Sequence, residues 1–126
     1  MSRIRVLVID DDASAQVAIR SVLSAAGMDV HVIDSPIGAT QLIVREQIQC
    51  VVCDLEMPAL RGDAFARLFR KTRLFDRIRI VLVSAAPLEE LRRLEESQVA
   101  DAVVHKSEVR TELAATIRRT VLGHAP

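Results

Sequence analysis

The sequence predicts an α/β domain in which a parallel sheet is covered by helices on both faces. Three observations carry this reading. Short segments rich in β-branched residues alternate with segments of helical periodicity along the chain. The strand-like segments are apolar at successive positions, so both of their faces are buried, as in parallel sheets. With 126 residues, of which 50% are hydrophobic, the chain can build one sizeable core, and a second domain is not expected within residues 1–126.

The elements follow in order. Ile4 to Ile9 (IRVLVI) is the first strand, and Ala13 to Ala26 carries a helical stripe of Val17, Ile19, Val22, Leu23 and Ala26 that Gly27 closes. Val30 to Ile33 is the second strand, followed after Pro36 and Gly38 by a helix from Ala39 to Arg45. Cys50 to Cys53 is the third strand and Gly62 to Arg73 the third helix. Ile78 to Val83 (IRIVLV) is again a largely apolar, β-branched strand; Leu88, Leu91, Leu94 and Gln98 to Val99 then mark a fourth helix with Glu89 and Glu90 favourably placed in its first turn. Ala102 to Val104 is a short fifth strand, and Val109, Leu113, Ile117 and Val121 step by four along a fifth helix. Strand and helix in strict alternation call for right-handed crossovers.

Composition excludes several classes of function. The 17 basic and 17 acidic residues cancel, so the chain as a whole has no electrostatic footprint for nucleic acid or anionic membrane. No apolar run approaches the length of a membrane span, and MSRIRVLVID enters a strand without the pattern of a signal peptide, which points to the cytoplasm. Cys50 and Cys53 have the C-x-x-C spacing of a redox or zinc motif. Positions i and i+3 of a strand face opposite sides of the sheet, however. His31, His105 and His124 are too scattered to complete a metal site, so both cysteines are read as reduced core residues.

Ligands of such sheets sit outside the carboxyl ends of the strands, and the residues placed there are polar. Asp10, Asp11 and Asp12 follow the first strand, Asp54 the third, Ser84 the fourth, and His105 and Lys106 the fifth. Asp54 directly follows the apolar run CVVC, so its charge needs a partner. Clustered carboxylates repel and raise one another's pKa. One lysine is too little to offset them, and carboxylate oxygens with room for water suit Mg²⁺. Asp12 or Ser14 can instead cap the first helix, and Ser84 can cap a turn before Pro87.

These motifs give the chain an end-to-end resemblance to the receiver domain of two-component response regulators, the chemotaxis-type fold. VLVIDDD resembles the family's acidic pair, carried by Asp10 and Asp11; CDLEMPALRG has its D-x-x-M-P-x-x-x-G around the phosphorylated aspartate, here Asp54. IVLVSA provides Ser84 followed by the small Ala85, and VVHK provides Lys106. The resemblance implies a five-stranded sheet of order 2-1-3-4-5. It implies that Asp54 accepts a phosphoryl group from the phosphohistidine of a sensor histidine kinase or phosphotransfer protein. Mg²⁺ (or Mn²⁺) would be held by Asp11, Asp54 and the Glu56 backbone carbonyl, with Asp10 acting through water, while Met57, Pro58 and Gly62 shape the loop. Lys106, Ser84 and the Ala85 N–H would bind phosphoryl oxygens. Output to a downstream protein effector would pass through helix four, strand five and helix five; no nucleic-acid contact or membrane insertion is implied, and a homodimer is allowed. The domain is then a phosphoacceptor that catalyses its own phosphorylation and slow dephosphorylation, rather than a turnover enzyme.

The sequence departs from the family in three places. Val103 stands three residues before the lysine, where receivers usually carry Tyr or Phe. Ser107 replaces the proline that usually follows the lysine in a cis peptide, and a serine there prefers trans. Glu56 and Ala86 occupy the positions that tune hydrolysis of the aspartyl phosphate in this family. The basic stretch Arg67 to Arg79 reads as a solvated helix face over inward Leu68, Phe69 and Phe75, with an acidic partner as the alternative. A competing function, an Mg²⁺-dependent phosphohydrolase of the haloacid-dehalogenase type using Asp10 and Asp12, fits less well, because Ala13-Ser14 stands where that family has Thr/Asp-Gly.

Overall fold

The computed structural model describes residues 3–58 and 60–123. His124 lies outside the described residues. Five strands, β1 (Arg5–Ile9), β2 (Asp29–Ile33), β3 (Cys50–Asp54), β4 (Arg79–Ser84) and β5 (Ala102–His105), alternate with five helices, α1 (Ala13–Ala25), α2 (Ala39–Arg45), α3 (Gly62–Arg70), α4 (Leu88–Ser97) and α5 (Ala114–Leu122). The strands form one sheet of order β2-β1-β3-β4-β5, and every neighbouring pair is parallel. Among the described residues no helix is long and apolar enough to cross a membrane.

Period-two alternation sends the strand side chains into two cores. Leu7, Ile9, Val51, Cys53, Ile80 and Leu82 pack with residues of α2, α3 and α4. On the other face Val6, Val8, Cys50, Val52, Val81 and Val83 pack with Ile19 and Leu23 of α1 and with Leu113 and Ile117. Cys50 and Cys53 are therefore free thiols on opposite faces, and burial pushes both thiols far above the usual range. At the end of α1, Gly27 takes the left-handed φ of +83°. Its N–H reaches the Ser24 carbonyl and the Met28 N–H the Leu23 carbonyl, which satisfies the last turn and buries Met28 against the core.

Several boundaries differ from the sequence reading. Helix α3 stops at Arg70 rather than Arg73, because Thr72 is extended (φ −99°, ψ 109°) and the chain re-enters a short 3₁₀ turn at Arg73–Phe75. This turn brings Phe75 onto Phe69, ring centroids 4.4 Å apart. Val17, Leu68 and Leu88 are exposed rather than buried. Val17 lies off the Ile19–Leu23 line, Leu68 off the Phe65–Phe69 line, and Leu88 opens α4 one turn before its buried residues begin. The predicted fifth helix starts irregularly, with a 3₁₀ turn at Lys106–Glu108 and a π-helical turn at Val109–Leu113 before α5.

The basic stretch is partly structural. Arg70 donates to the Ile78 carbonyl and pairs with Asp101. Arg79 also faces Asp101, at 3.7 Å, and Asp101 accepts the Ile80 N–H at 2.7 Å. Arg67 reaches back one turn to Asp63 at 3.5 Å.

Gly62 is required by a close approach. Its N–H donates to the Leu55 carbonyl, and a Cβ placed there would lie 2.6 Å from the Asp54 carbonyl oxygen and 3.0 Å from the Leu55 Cα. The obstacle is backbone at the end of β3 and cannot rotate away. Gly62→Ala is expected to cost about 1–3 kcal/mol, read as a lower denaturant midpoint with an unchanged slope. An unaltered midpoint would show that the loop relaxes freely.

Candidate functional site

Parallel register assembles the site. Ile9 lies beside Cys53, so Asp10 and Asp54 leave neighbouring strands at the same level. Asp54 lies beside Val83 and Ser84 beside His105, which brings Ser84 and then Lys106 to the same edge. The strand-end residues of the sequence reading thus converge, and Asp10, Asp11 and Asp54 offer carboxylate oxygens within 4.8 Å of one another.

Burial makes this cluster costly. Asp10 is 0% exposed and Asp54 3%, whereas Asp11 faces solvent. Asp10 Oδ1 accepts the Asp12 N–H at 2.9 Å, but its buried Oδ2 has no hydrogen-bond partner among the described residues. Burial raises the Asp10 pKa, and the neighbouring Asp54 and Asp11 charges add to this, against the Asp12 N–H and Lys106, which oppose it. Asp54 Oδ1 accepts the Glu56 N–H at 3.1 Å and faces Lys106 Nζ at 3.5 Å. When all three carboxylates are ionised, one ammonium leaves the pocket with excess negative charge. An orphaned carboxylate oxygen beside two further carboxylates is a hard-oxygen donor set, and it fits Mg²⁺.

Asp12 stands apart. Its Oδ2 accepts the Ala15 N–H at 2.8 Å and caps α1, which withdraws it from the pairing with Asp10 that a dehalogenase-type hydrolase needs. Ser84, 0% exposed, accepts the Ala86 N–H at 2.9 Å, the turn-capping contact, and donates to Glu56 Oε2 at 2.6 Å. Ala85 N–H donates to Glu56 Oε1 at 3.2 Å. The sequence reading valued Glu56 for its carbonyl and missed this side-chain role. It also missed Gln16, whose amide donates to the Asp10 carbonyl at 2.6 Å, and it placed His105 at the strand end without the contact in which its Nδ1 accepts the Ser107 N–H at 3.1 Å. A glutamine in the first turn of α1 and a histidine two residues before Ser107 were the available signals. No cis peptide occurs among the described residues, so Lys106–Ser107 is trans, as expected of serine. Val103 is half-buried against the α2–α4 core. A groove of about 640 Å³ near α2, lined by Thr40, Gln41, Val44, Arg45, Thr72 and Phe75, includes none of the site residues.

The doubly wound parallel fold carries an acidic pocket at its carboxyl edge with a lysine facing the buried aspartate. The response regulator receiver domain profile matches residues 6–118; the chain belongs to this family and so to two-component signalling. It is 30% identical over 127 residues to the sensor histidine kinase TmoS of Ectopseudomonas mendocina, covering 96% of this chain and 13% of that protein. It is 29% identical over 114 residues to the response regulator MprA of Mycobacterium leprae, covering 90% of this chain and 49% of that one. A sensor protein from Polaromonas sp. JS666 superposes with a TM-score of 0.86 at 24% identity, covering 98% of this chain and 100% of that chain, a likeness of fold. The chain thus spans at most about half the length of these curated relatives.

Asp10→Asn is expected to stabilise the metal-free protein by about 1 kcal/mol or more, since the amide puts a donor among carboxylates where a buried oxygen had no partner. The gain has a definite pH dependence. A carboxylate whose folded pKa is raised is penalised fully above that pKa, and the penalty fades as pH falls towards the unfolded value of 3.8. Thermal unfolding in chelator across acidic to neutral pH should show the difference between variant and parent shrinking with acid, whereas added Mg²⁺ should stabilise the parent more than the variant.

Proposed function

We propose that this domain is a phosphoacceptor in which Asp54 takes a phosphoryl group from a phosphohistidine of a sensor histidine kinase or phosphotransfer protein. The observation that carries this reading is the Asp54 carboxylate at the sheet edge, 3% exposed, with the Lys106 ammonium 3.5 Å from Oδ1 and Asp10 and Asp11 beside it. An Asp54 oxygen attacks the phosphorus, the P–N bond breaks, and the imidazole departs with the electron pair and takes up a proton. Such transfer depends on positioning and charge neutralisation more than on acid–base groups.

The chain's residues supply the positioning. The Glu56 N–H and Lys106 fix one Asp54 oxygen, and β3 holds the carboxylate against the core. Asp10, Asp11, Asp54 and the Glu56 backbone carbonyl would hold Mg²⁺ (or Mn²⁺), which when bound neutralises charge on the transferring group. Lys106 then pairs with a phosphoryl oxygen, and the Ser84 hydroxyl and Ala85 N–H are the donors for others. The domain catalyses its own loading and slow hydrolysis and has no further substrate. That one relative bears the name of a sensor histidine kinase and another that of a response regulator supports a place for such a domain in either kind of signalling chain.

Output runs through the backbone at Lys106 rather than through residue 103. Val103 changes less apolar area on moving than an aromatic would, at roughly 25 cal/mol per Å². Lys106 instead opens the 3₁₀ turn that leads into the π-helical turn, an irregular start to the last helix that a small shift can re-form. A protein partner on the α4–β5–α5 face would read that shift.

Two experiments test this reading. Asp54→Asn should abolish phosphate incorporation from acetyl phosphate with Mg²⁺, read by intact mass, without lowering the metal-free unfolding midpoint, because it removes one of several repelling charges. Undiminished incorporation would sink the assignment. Lys106→Ala should still load Asp54, more slowly, yet lose the amide shifts over residues 108–113 that beryllofluoride produces in the parent. Equal shifts in both proteins would refute this route.

A further inference from the structure

The two donors assigned to the phosphoryl group are already engaged. Ser84 Oγ donates to Glu56 Oε2 at 2.6 Å and Ala85 N–H to Glu56 Oε1 at 3.2 Å, so one carboxylate spans both. The direction of the first bond is fixed, because Ser84 Oγ also accepts the Ala86 N–H at 2.9 Å and has a single proton to give. An amide N–H likewise has one hydrogen. Neither donor can serve Glu56 and a phosphoryl oxygen at full strength together. Ser84 is wholly buried, while Glu56 sits in an exposed loop position from which its side chain can swing to water. The backbone leading into residue 56 is pinned: the Glu56 N–H is bonded to Asp54 Oδ1, and the Leu55 N–H to the Val83 carbonyl. The mobile part is thus the side chain of residue 56 itself.

We propose that Glu56 is an intramolecular competitor for the phosphoryl-binding donors: its carboxylate latches Ser84 and Ala85 in the unphosphorylated state and must be expelled before the group on Asp54 is fully bound. This rests on the phosphoacceptor reading and deepens it. The latch has two consequences. It lowers the affinity of the pocket for a tetrahedral anion, since an internal carboxylate must first be displaced from two charge-assisted hydrogen bonds. It also holds the segment after β4 against the loop after β3 without any phosphate, so that loading exchanges one anion for another on the same donors. The signal then includes the release of a carboxylate to the surface beside the pocket.

The test uses the full chain with saturating Mg²⁺, titrated with beryllofluoride and followed by the Ala85 amide resonance, in the parent and in Glu56→Ala, Glu56→Gln and Glu56→Asp. Before any anion is added, and without metal, the Ala85 amide should move upfield and exchange faster in Glu56→Ala than in the parent. The beryllofluoride midpoint should fall on the order of tenfold in Glu56→Ala. It should fall less in Glu56→Gln, which keeps one acceptor. Glu56→Asp separates contact from charge: it keeps the charge but is a methylene too short to span both donors, so its midpoint should fall as well. An unchanged or higher midpoint in Glu56→Ala overturns the latch. So does a parent-like Glu56→Asp beside an improved Glu56→Gln, which would mean through-space repulsion alone. If neither the parent nor any variant binds beryllofluoride, the phosphoacceptor reading fails and the latch with it.

Discussion

The register of β1 against β3 is the constraint on which the site depends. With Ile9 beside Cys53, two carboxylates leave the sheet one strand spacing apart, and both are buried. Burial weakens the solvent screening between them. The rest of the pocket is a set of answers to that problem: the Asp12 N–H on Asp10, the Glu56 N–H and Lys106 on Asp54, and Asp11 held out in solvent. One oxygen of Asp10 receives no answer from the protein, and a divalent cation is the group that would supply it. The site is therefore built strained in charge and relaxed by what it binds.

The fold makes such strain tolerable. Two cores, one on each face of the sheet, bury every residue of β1 from Val6 to Ile9 and all of β3. Burial on the order of 25 cal/mol per Å² over so many apolar side chains outweighs a few kcal/mol of carboxylate repulsion. The edge where the chemistry lies carries irregular backbone: the segment following β3, the 3₁₀ turn at Lys106, and the π-helical turn after it.

Much of this was legible in the sequence. Short, largely apolar segments of three to six residues, separated by helical stripes, marked the strands and helices, because a parallel sheet buried on both faces leaves little room for polar alternation. Asp10, Asp54, Ser84 and Lys106 could be grouped because a parallel sheet sends all of its strand ends to one edge. Contacts set by side-chain reach were not legible. Glu56 lies two residues past Asp54, and nothing in that spacing says that its carboxylate crosses to Ser84 on the next strand. The exposure of Val17, Leu68 and Leu88 was missed for a related reason, since a hydrophobic stripe tells which face turns inward but not where its margin falls. Helix α3 ends early because the stacking of Phe75 on Phe69 needs an extended residue at Thr72, a tertiary demand that local periodicity does not record.

Asp101 has a mechanical consequence. It sits just before β5, accepts the N–H of Ile80 near the start of β4, and gathers Arg79 from that strand and Arg70 from the end of α3. These contacts rivet the amino ends of the last two strands together, at the margin of the sheet away from the acidic pocket. Among the described residues no ion pair of this kind joins the carboxyl ends of β4 and β5 to each other. The segments after Ser84 and His105, where the proposed phosphoryl-binding groups lie, are at the far ends of these strands from that anchor, so a rearrangement there would leave the Asp101 contacts undisturbed.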